Sequence, residues 1–230
     1  MLIERAEASH PGEEFADEAA WLRCAKEDFP KFIPFLTGPC GLEFRGRVLE
    51  IGAGAAWFSA ELSKLPQVVE ITASDVSARL LKGPALKVFK LLKANEAKII
   101  RTPADFCALD FPRNYFDVVV CADALHRAAS PLRVLREVKR VLKPGGKFVA
   151  IREPVRPLVR FRSESQRVNK GKPPLPGYAL SEYRHYFELA GLKLEVKRVV
   201  LSRGFKYYFD SMVNGLTHAR YAFVATKSSR

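Results

Sequence analysis

Gly52 and Gly54 are the residues whose setting most invites chemistry. The stretch RVLEIGAGAAWFSAELSKL, residues 47–65, starts as a β-prone apolar run and ends with Trp57, Phe58, Leu62 and Leu65 at helical spacing. A strand therefore enters a helix through a turn of glycines and alanines. A turn without side chains lets a ligand lie against bare backbone. A dinucleotide would need a third glycine in G-x-G-x-x-G, for close helix–strand packing, and Trp57 stands there. A P-loop would need Lys and then Ser or Thr after its glycines, and neither follows. What remains is a nucleoside-type ligand without a pyrophosphate. Valine at Gly52 is expected to take that ligand's place while leaving the chain folded.

The elements that must position this turn alternate. Strands are predicted at about 47–51, 68–75, 97–102, 116–122 and 147–153. Helices are predicted at about 55–65, from Ser77 with an interruption at Gly83-Pro84, from a Ser130 cap with Pro131 at its first position to about Leu142, and at 180–192, closed by Gly191. KPGG, residues 143–146, reads as a turn before the fifth strand. Residues 193–201 and 219–226 read as two last strands, an antiparallel pair. This order predicts an α/β fold with a doubly wound, mostly parallel seven-stranded sheet. Residues 13–36 read as a helical preface broken at Pro30 and Pro34, within an N-terminal helical cap at 1–44. Residues 45–230 are expected to form the main domain, and 154–177, five of them proline, a basic insertion after the fifth strand that is expected to be part of a lid over the acceptor.

Composition narrows the classes. Hydrophobic residues make up 48% of the 230, enough for a core and against disorder. No apolar run is long enough to span a membrane, and the acidic first fifteen residues do not read as a secretory leader. The cysteines at 24, 40, 107 and 121 have neither zinc spacing nor a disulfide pattern, so reduced thiols in a cytoplasm are expected. The four histidines form no paired metal-ligand spacing, and no metal is expected. Net charge is +3 over residues 1–150 and +10 over 151–230, which hints at an anionic partner for the second part.

VLEIGAGAA resembles motif I of the class I S-adenosylmethionine-dependent methyltransferases, E/D-x-G-x-G-x-G, with Ala56 in place of the third glycine. ITASDVS resembles the acidic end of their second strand, and residues 102–154, with LKPGG before the fifth strand, resemble the rest of the type-11 methyltransferase pattern. The resemblance covers about residues 45–154. It implies S-adenosylmethionine as cofactor and S-adenosylhomocysteine as product, with Gly52, Ala53 and Gly54 against the cofactor. Glu50 would orient its methionine end. Asp75, 21 residues beyond Gly54, would accept from both ribose hydroxyls, and Val76 would pack on the adenine. Asp105 would accept from the adenine amino group beside Phe106. Cys121 and Ala122 would line the wall near the methionine moiety, Cys121 as a filler rather than a nucleophile.

Methyl transfer from a sulfonium is an in-line displacement, so the protein mainly aligns the acceptor and excludes water. A base for an acceptor hydroxyl or amine is expected at His126 or Glu153. Arg156, Arg160, Arg162 and Tyr178 are expected on the acceptor side, where arginines suit an anion. A small-molecule acceptor, anionic or a glycan or lipid precursor, leads this reading. The alternatives are an RNA acceptor using the basic C-terminal part, or a protein that binds the cofactor without turnover. No sequence feature speaks to the oligomeric state.

Overall fold

The structure, a computed structural model, describes residues 29–156, 177–199 and 221–229. A short 3-10 turn, Phe29–Lys31, leads into α1 (Phe32–Thr37). The alternating part follows: β1 (Gly46–Ile51), α2 (Trp57–Leu62), β2 (Val68–Asp75), α3 (Ala78–Lys82), α4 (Pro84–Leu92), β3 (Ile99–Pro103) and β4 (Phe116–Ala122). Then come a 3-10 turn at Leu125–Arg127, α5 (Pro131–Val141), β5 (Leu142–Ile151), β6 (Val155–Arg156), β7 (Tyr178–Ala179), α6 (Leu180–Leu189), β8 (Lys193–Arg198) and β9 (Tyr221–Thr226).

Seven strands form one sheet in the order β3-β2-β1-β4-β5-β9-β8. The first five are parallel, and β9 runs antiparallel to both β5 and β8. The expected fold class, including the final antiparallel pair, is the one observed. The strands of the sheet's middle are buried on both faces, as parallel strands covered by helices must be. Val48, Ile71, Val118, Val120 and Val149 pack on the side of α1, α2 and α4. Leu49, Val119, Phe148 and Phe223 pack on the side of α5 and α6. Strand order reverses between β1 and β4, which places a ligand crevice outside their carboxyl ends.

Two local expectations differ from the structure. Residues 13–28 of the expected preface lie outside the described residues; Pro34 does not act as a stop but lies inside the first turn of α1, where a missing N–H costs no hydrogen bond. Phe32 of α1 and Phe44 just ahead of β1 reach the rings of Trp57 and Phe58, at centroid distances of 6.1 and 6.4 Å, so residues 30–44 share the core of the sheet. KPGG is not a turn ahead of β5 but a bulge within it. Phe116 pairs with Leu142 and Val118 with Lys147, and the extra residues are held because Gly145 N donates to Lys227 O and Lys227 N to Gly146 O. The Gly83-Pro84 interruption is observed as expected, with Ser77 capping α3 and Pro84 opening α4.

Candidate active site

The turn after β1 is left-handed at every second residue: Gly52, Gly54 and Ala56 have φ of +61°, +53° and +55°. Glycine adopts this region freely, and alanine pays for it. The two glycines serve different ends. A Cβ on Gly54 would meet no atom within 4 Å, so this residue faces open space. A Cβ on Gly52 would stand 2.6 Å from Cβ of Ala124, with the Phe106 ring 3.7 Å away. The expectation that a side chain at Gly52 would only displace a ligand is therefore corrected. It would first collide with the protein's own loop after β4.

Carboxylates hold this turn in place. Oδ2 of Asp75, at the end of β2, accepts from the Gly54 amide at 2.8 Å, and its Oδ1 accepts from the Ser77 amide at 2.8 Å. Both oxygens are thus held by backbone amides, one on each side of the strand end. Glu50, 1% exposed, accepts on Oε2 from the amide and hydroxyl of Ser59 in α2, at 2.8 and 2.5 Å. Burial pushes its carboxyl up to about 7, against the pull of the Ser59 hydrogen bonds. Ser74 ties the two strands, its hydroxyl donating to Glu50 O.

The other predicted cofactor residues stand on the same edge. Val76 follows β2 and is half-buried. Asp105 is exposed after β3 and accepts from the Cys107 amide, closing a small turn that presents Phe106 to the glycines. Cys121 and Ala122 end β4; burial pushes the Cys121 thiol well above its ordinary range, so it is no nucleophile at neutral pH.

On the β4–β5 side, Glu153 is fully engaged. Its Oε1 accepts from the amides of Ala124 and Leu125 at 3.0 and 2.9 Å. Its Oε2 accepts from the amide and Nδ1 of His126 at 3.0 and 2.8 Å. A carboxylate gathering three backbone N–H groups can only accept, so Nδ1 of His126 carries a hydrogen, and Nε2 is the acceptor of the neutral ring. That Nε2 is buried and has no hydrogen-bond partner among the described residues.

Arg156 ion-pairs with Glu182 at the start of α6, and Tyr178 meets Tyr183 and Tyr186 edge-on. Arg160 and Arg162 lie outside the described residues. Sequence reasoning missed Ser59 and Ser77, whose groups hold the two carboxylates, and the ion pair between Asp123 and Arg152. Among the described residues no group of acids, histidines and cysteines could hold a metal ion, and no helix is long and apolar enough to cross a membrane.

A bare turn after β1 and an acid closing β2, at the point where strand order reverses, are the features expected of a doubly wound domain of the class I S-adenosylmethionine-dependent methyltransferase type. Residues 49–150 match the family model described as "Methyltransferase domain". It is 27% identical over 193 residues to 27-O-demethylrifamycin SV methyltransferase of Amycolatopsis mediterranei (strain S699), covering 78% of this chain and 64% of that protein. It is 29% identical over 112 residues to the ubiquinone/menaquinone biosynthesis C-methyltransferase UbiE of Stutzerimonas stutzeri (strain A1501), covering 48% of this chain and 43% of that one. The chain thus spans less than two thirds of the length of these relatives. In fold it resembles the crystal structure of a SAM dependent methyltransferase from Aquifex aeolicus, with a TM-score of 0.61, 21% identity, and 98% and 96% of the two chains covered.

Proposed function

We propose that this protein transfers the methyl group of S-adenosylmethionine to an oxygen or nitrogen of a small-molecule acceptor, with Nε2 of His126 taking the acceptor's proton. The observation that carries the second half is the buried, unpartnered Nε2, oriented by Glu153 through Nδ1. The cofactor half is supported by the space before Gly54, which a side chain would fill, and by the carboxylate of Asp75, held ready beside it. These residues fit the group: Gly52, Ala53 and Gly54 offer backbone, Asp75 an acceptor for ribose hydroxyls, Val76 and Phe106 apolar faces for adenine, and Asp105 an acceptor for its amino group. Glu50, Cys121 and Ala122 complete the methionine side. When bound, S-adenosylmethionine supplies an electrophilic methyl on a sulfonium.

The chain's own residues do the rest. Glu153 acts as a positioning residue: its four accepted hydrogen bonds fix the 3-10 turn and the imidazole plane. His126 accepts a proton at Nε2 from an O–H or N–H acceptor as the new bond to carbon forms, and the imidazolium is stabilised by Glu153. Tyr178 and the arginines of 154–177 are assigned to the acceptor side. The printed names of the two relatives, a 27-O-demethylrifamycin SV methyltransferase and a C-methyltransferase of ubiquinone/menaquinone biosynthesis, favour a small organic acceptor here as well. The free thiols of Cys40, Cys107 and Cys121 favour a cytoplasmic setting.

The test is transfer of tritium from methyl-labelled S-adenosylmethionine into small-molecule extracts and, in parallel, into total RNA. Counts in small molecules are expected, with His126→Ala reducing the rate by about 100-fold or more. Counts in RNA would replace the acceptor class. Tight cofactor binding with no counts in either pool would mark a binder without turnover. Unchanged kinetics in His126→Ala would remove it as the base.

A further inference from the structure

Two charged residues beside this site have no part in the reaction just derived. Asp123 is the first residue after β4 and Arg152 the first after β5, on neighbouring parallel strands. Both are left-handed, with φ of +55° and +61°, a conformation costly for a residue with a Cβ. They are paired: Nε of Arg152 donates to Oδ2 of Asp123 at 2.5 Å, while the Asp123 amide donates to Ile151 O at 3.1 Å. Strain repeated on two adjacent strand ends persists only where surrounding structure enforces it, and such residues cluster at ligand clamps.

The location is specific. The same two loops carry His126 and Glu153, three residues and one residue further along the chain. Unlike that buried dyad, the pair reaches solvent, with side chains 30% and 38% exposed. A second guanidinium stands beside it: Nε of Arg127 donates to Asp123 O at 2.9 Å. Burial pushes the Asp123 carboxyl up, with Arg152 working against it. A guanidinium fork matches a carboxylate or a phosphate in two-point geometry, which a lysine does not.

We propose that Arg152, held in place by Asp123, recognises an acidic group, a carboxylate or a phosphate, on the methyl acceptor. This deepens the methyl-transfer reading and rests on it. Asp123 neutralises and aims the guanidinium before the acceptor arrives, and the acceptor's anion then shares it. The acid of the acceptor is thereby set at a fixed distance from Nε2 of His126, so the same residue selects and orients.

The full chain, labelled with ¹⁵N and saturated with S-adenosylhomocysteine, is titrated at constant ionic strength with inorganic phosphate in one arm and acetate in the other. The Arg152 Nε–H signal, assigned by its loss in Arg152→Lys, is followed. A saturable shift in the millimolar range is expected in at least one arm, and the arm that saturates names the oxyanion. Asp123→Asn is expected to tighten that anion at least threefold, because a competing charge is gone. A shift without saturation in both arms, or an unchanged affinity in Asp123→Asn, overturns the proposal. Tritium transferred only into molecules that an anion-exchange resin does not retain at pH 8 overturns it too. Binding of S-adenosylhomocysteine to the unmutated chain is measured separately: its failure sinks the methyl-transfer reading itself, whereas binding without a saturable anion effect sinks only the role of Arg152.

Discussion

Alanine at Gly52 and alanine at Gly54 should fail in opposite ways. Both residues are left-handed, so either substitution costs about 1–2 kcal/mol of strain, offset by about 0.4–1 kcal/mol from a less flexible unfolded chain. At Gly54 nothing more is lost, since its Cβ meets no atom within 4 Å. Its net cost is then about 1 kcal/mol, or about 2–4 °C of melting temperature for a chain of this size. At Gly52 the new methyl stands 2.6 Å from Cβ of Ala124, well inside the ordinary contact distance. Overpacking of this kind adds about 1–3 kcal/mol, so the total is about 2–4 kcal/mol and the melting temperature falls by about 4–16 °C. Binding should follow the reverse order. The Gly54→Ala methyl occupies the space that the cofactor's backbone contacts need, and S-adenosylhomocysteine should bind at least tenfold more weakly, a loss of about 1.4 kcal/mol. Thermal unfolding followed by circular dichroism and calorimetric titration of both variants give the comparison. If Gly52→Ala melts no lower than Gly54→Ala, or if Gly54→Ala binds as the unmutated chain does, the division of labour between the glycines is wrong.

Three further outcomes are expected. Asp75→Ala should weaken S-adenosylhomocysteine binding by about 1–3 kcal/mol, the cost of leaving desolvated hydroxyls and the Gly54 amide unpaired; equal affinity by calorimetry would remove Asp75 from the site. The Glu50 carboxyl, pushed up to about 7 from 4.5, binds its proton more tightly in the folded chain, so its share of stability is full below about pH 4.5 and is lost as pH rises through about 7. Glu50→Gln should therefore flatten the pH dependence of urea midpoints and stabilise the chain at pH 8 by up to about 3 kcal/mol, whereas a variant as pH-sensitive as the original would refute it. Glu153→Ala strands four buried donors and should cost about 3 kcal/mol or more; a melting temperature within a degree of the original would show that the turn does not depend on it.

The sheet was legible because its middle strands are continuous apolar runs between clear stops. β2 and β4 begin and end where the residue types change, and Ser130-Pro131 and Gly83-Pro84 announce helix starts by their own backbone chemistry. KPGG misled because proline and glycine commonly make turns, while here Lys227, just past the end of β9 and far along the chain, supplies the bonds that keep the bulge in the sheet. In the site, an acid at the end of a strand, as at Asp75, can be read from position alone. Ser59 and Ser77 cannot, because a serine in or before a first helical turn looks alike whether or not a buried carboxylate waits for it. The Asp123–Arg152 pair spans 29 residues, and left-handed backbone at an aspartate or an arginine leaves no trace in composition. His126 and Glu153 were readable as candidates, but only the hydrogen bonds separate the one that holds from the one that is held.

The two-residue ladder between β6 and β7 has a bearing on how such a protein can change. Val155 lies against Tyr178 and Arg156 against Ala179, Arg156 is tied to Glu182, and Gly177 sits so close to Pro154 O that a Cβ would come within 2.9 Å of it. The chain that leaves the sheet after β5 is thus returned to a fixed point before α6, whatever runs between. Two separate contacts therefore fix where the chain re-enters before α6, the strand pairing and the Arg156–Glu182 ion pair, so that losing one leaves the other to hold the register. This ladder is a sheet of its own, and β1, β2 and their carboxylates belong to the other, so a change at the ladder leaves them as they are.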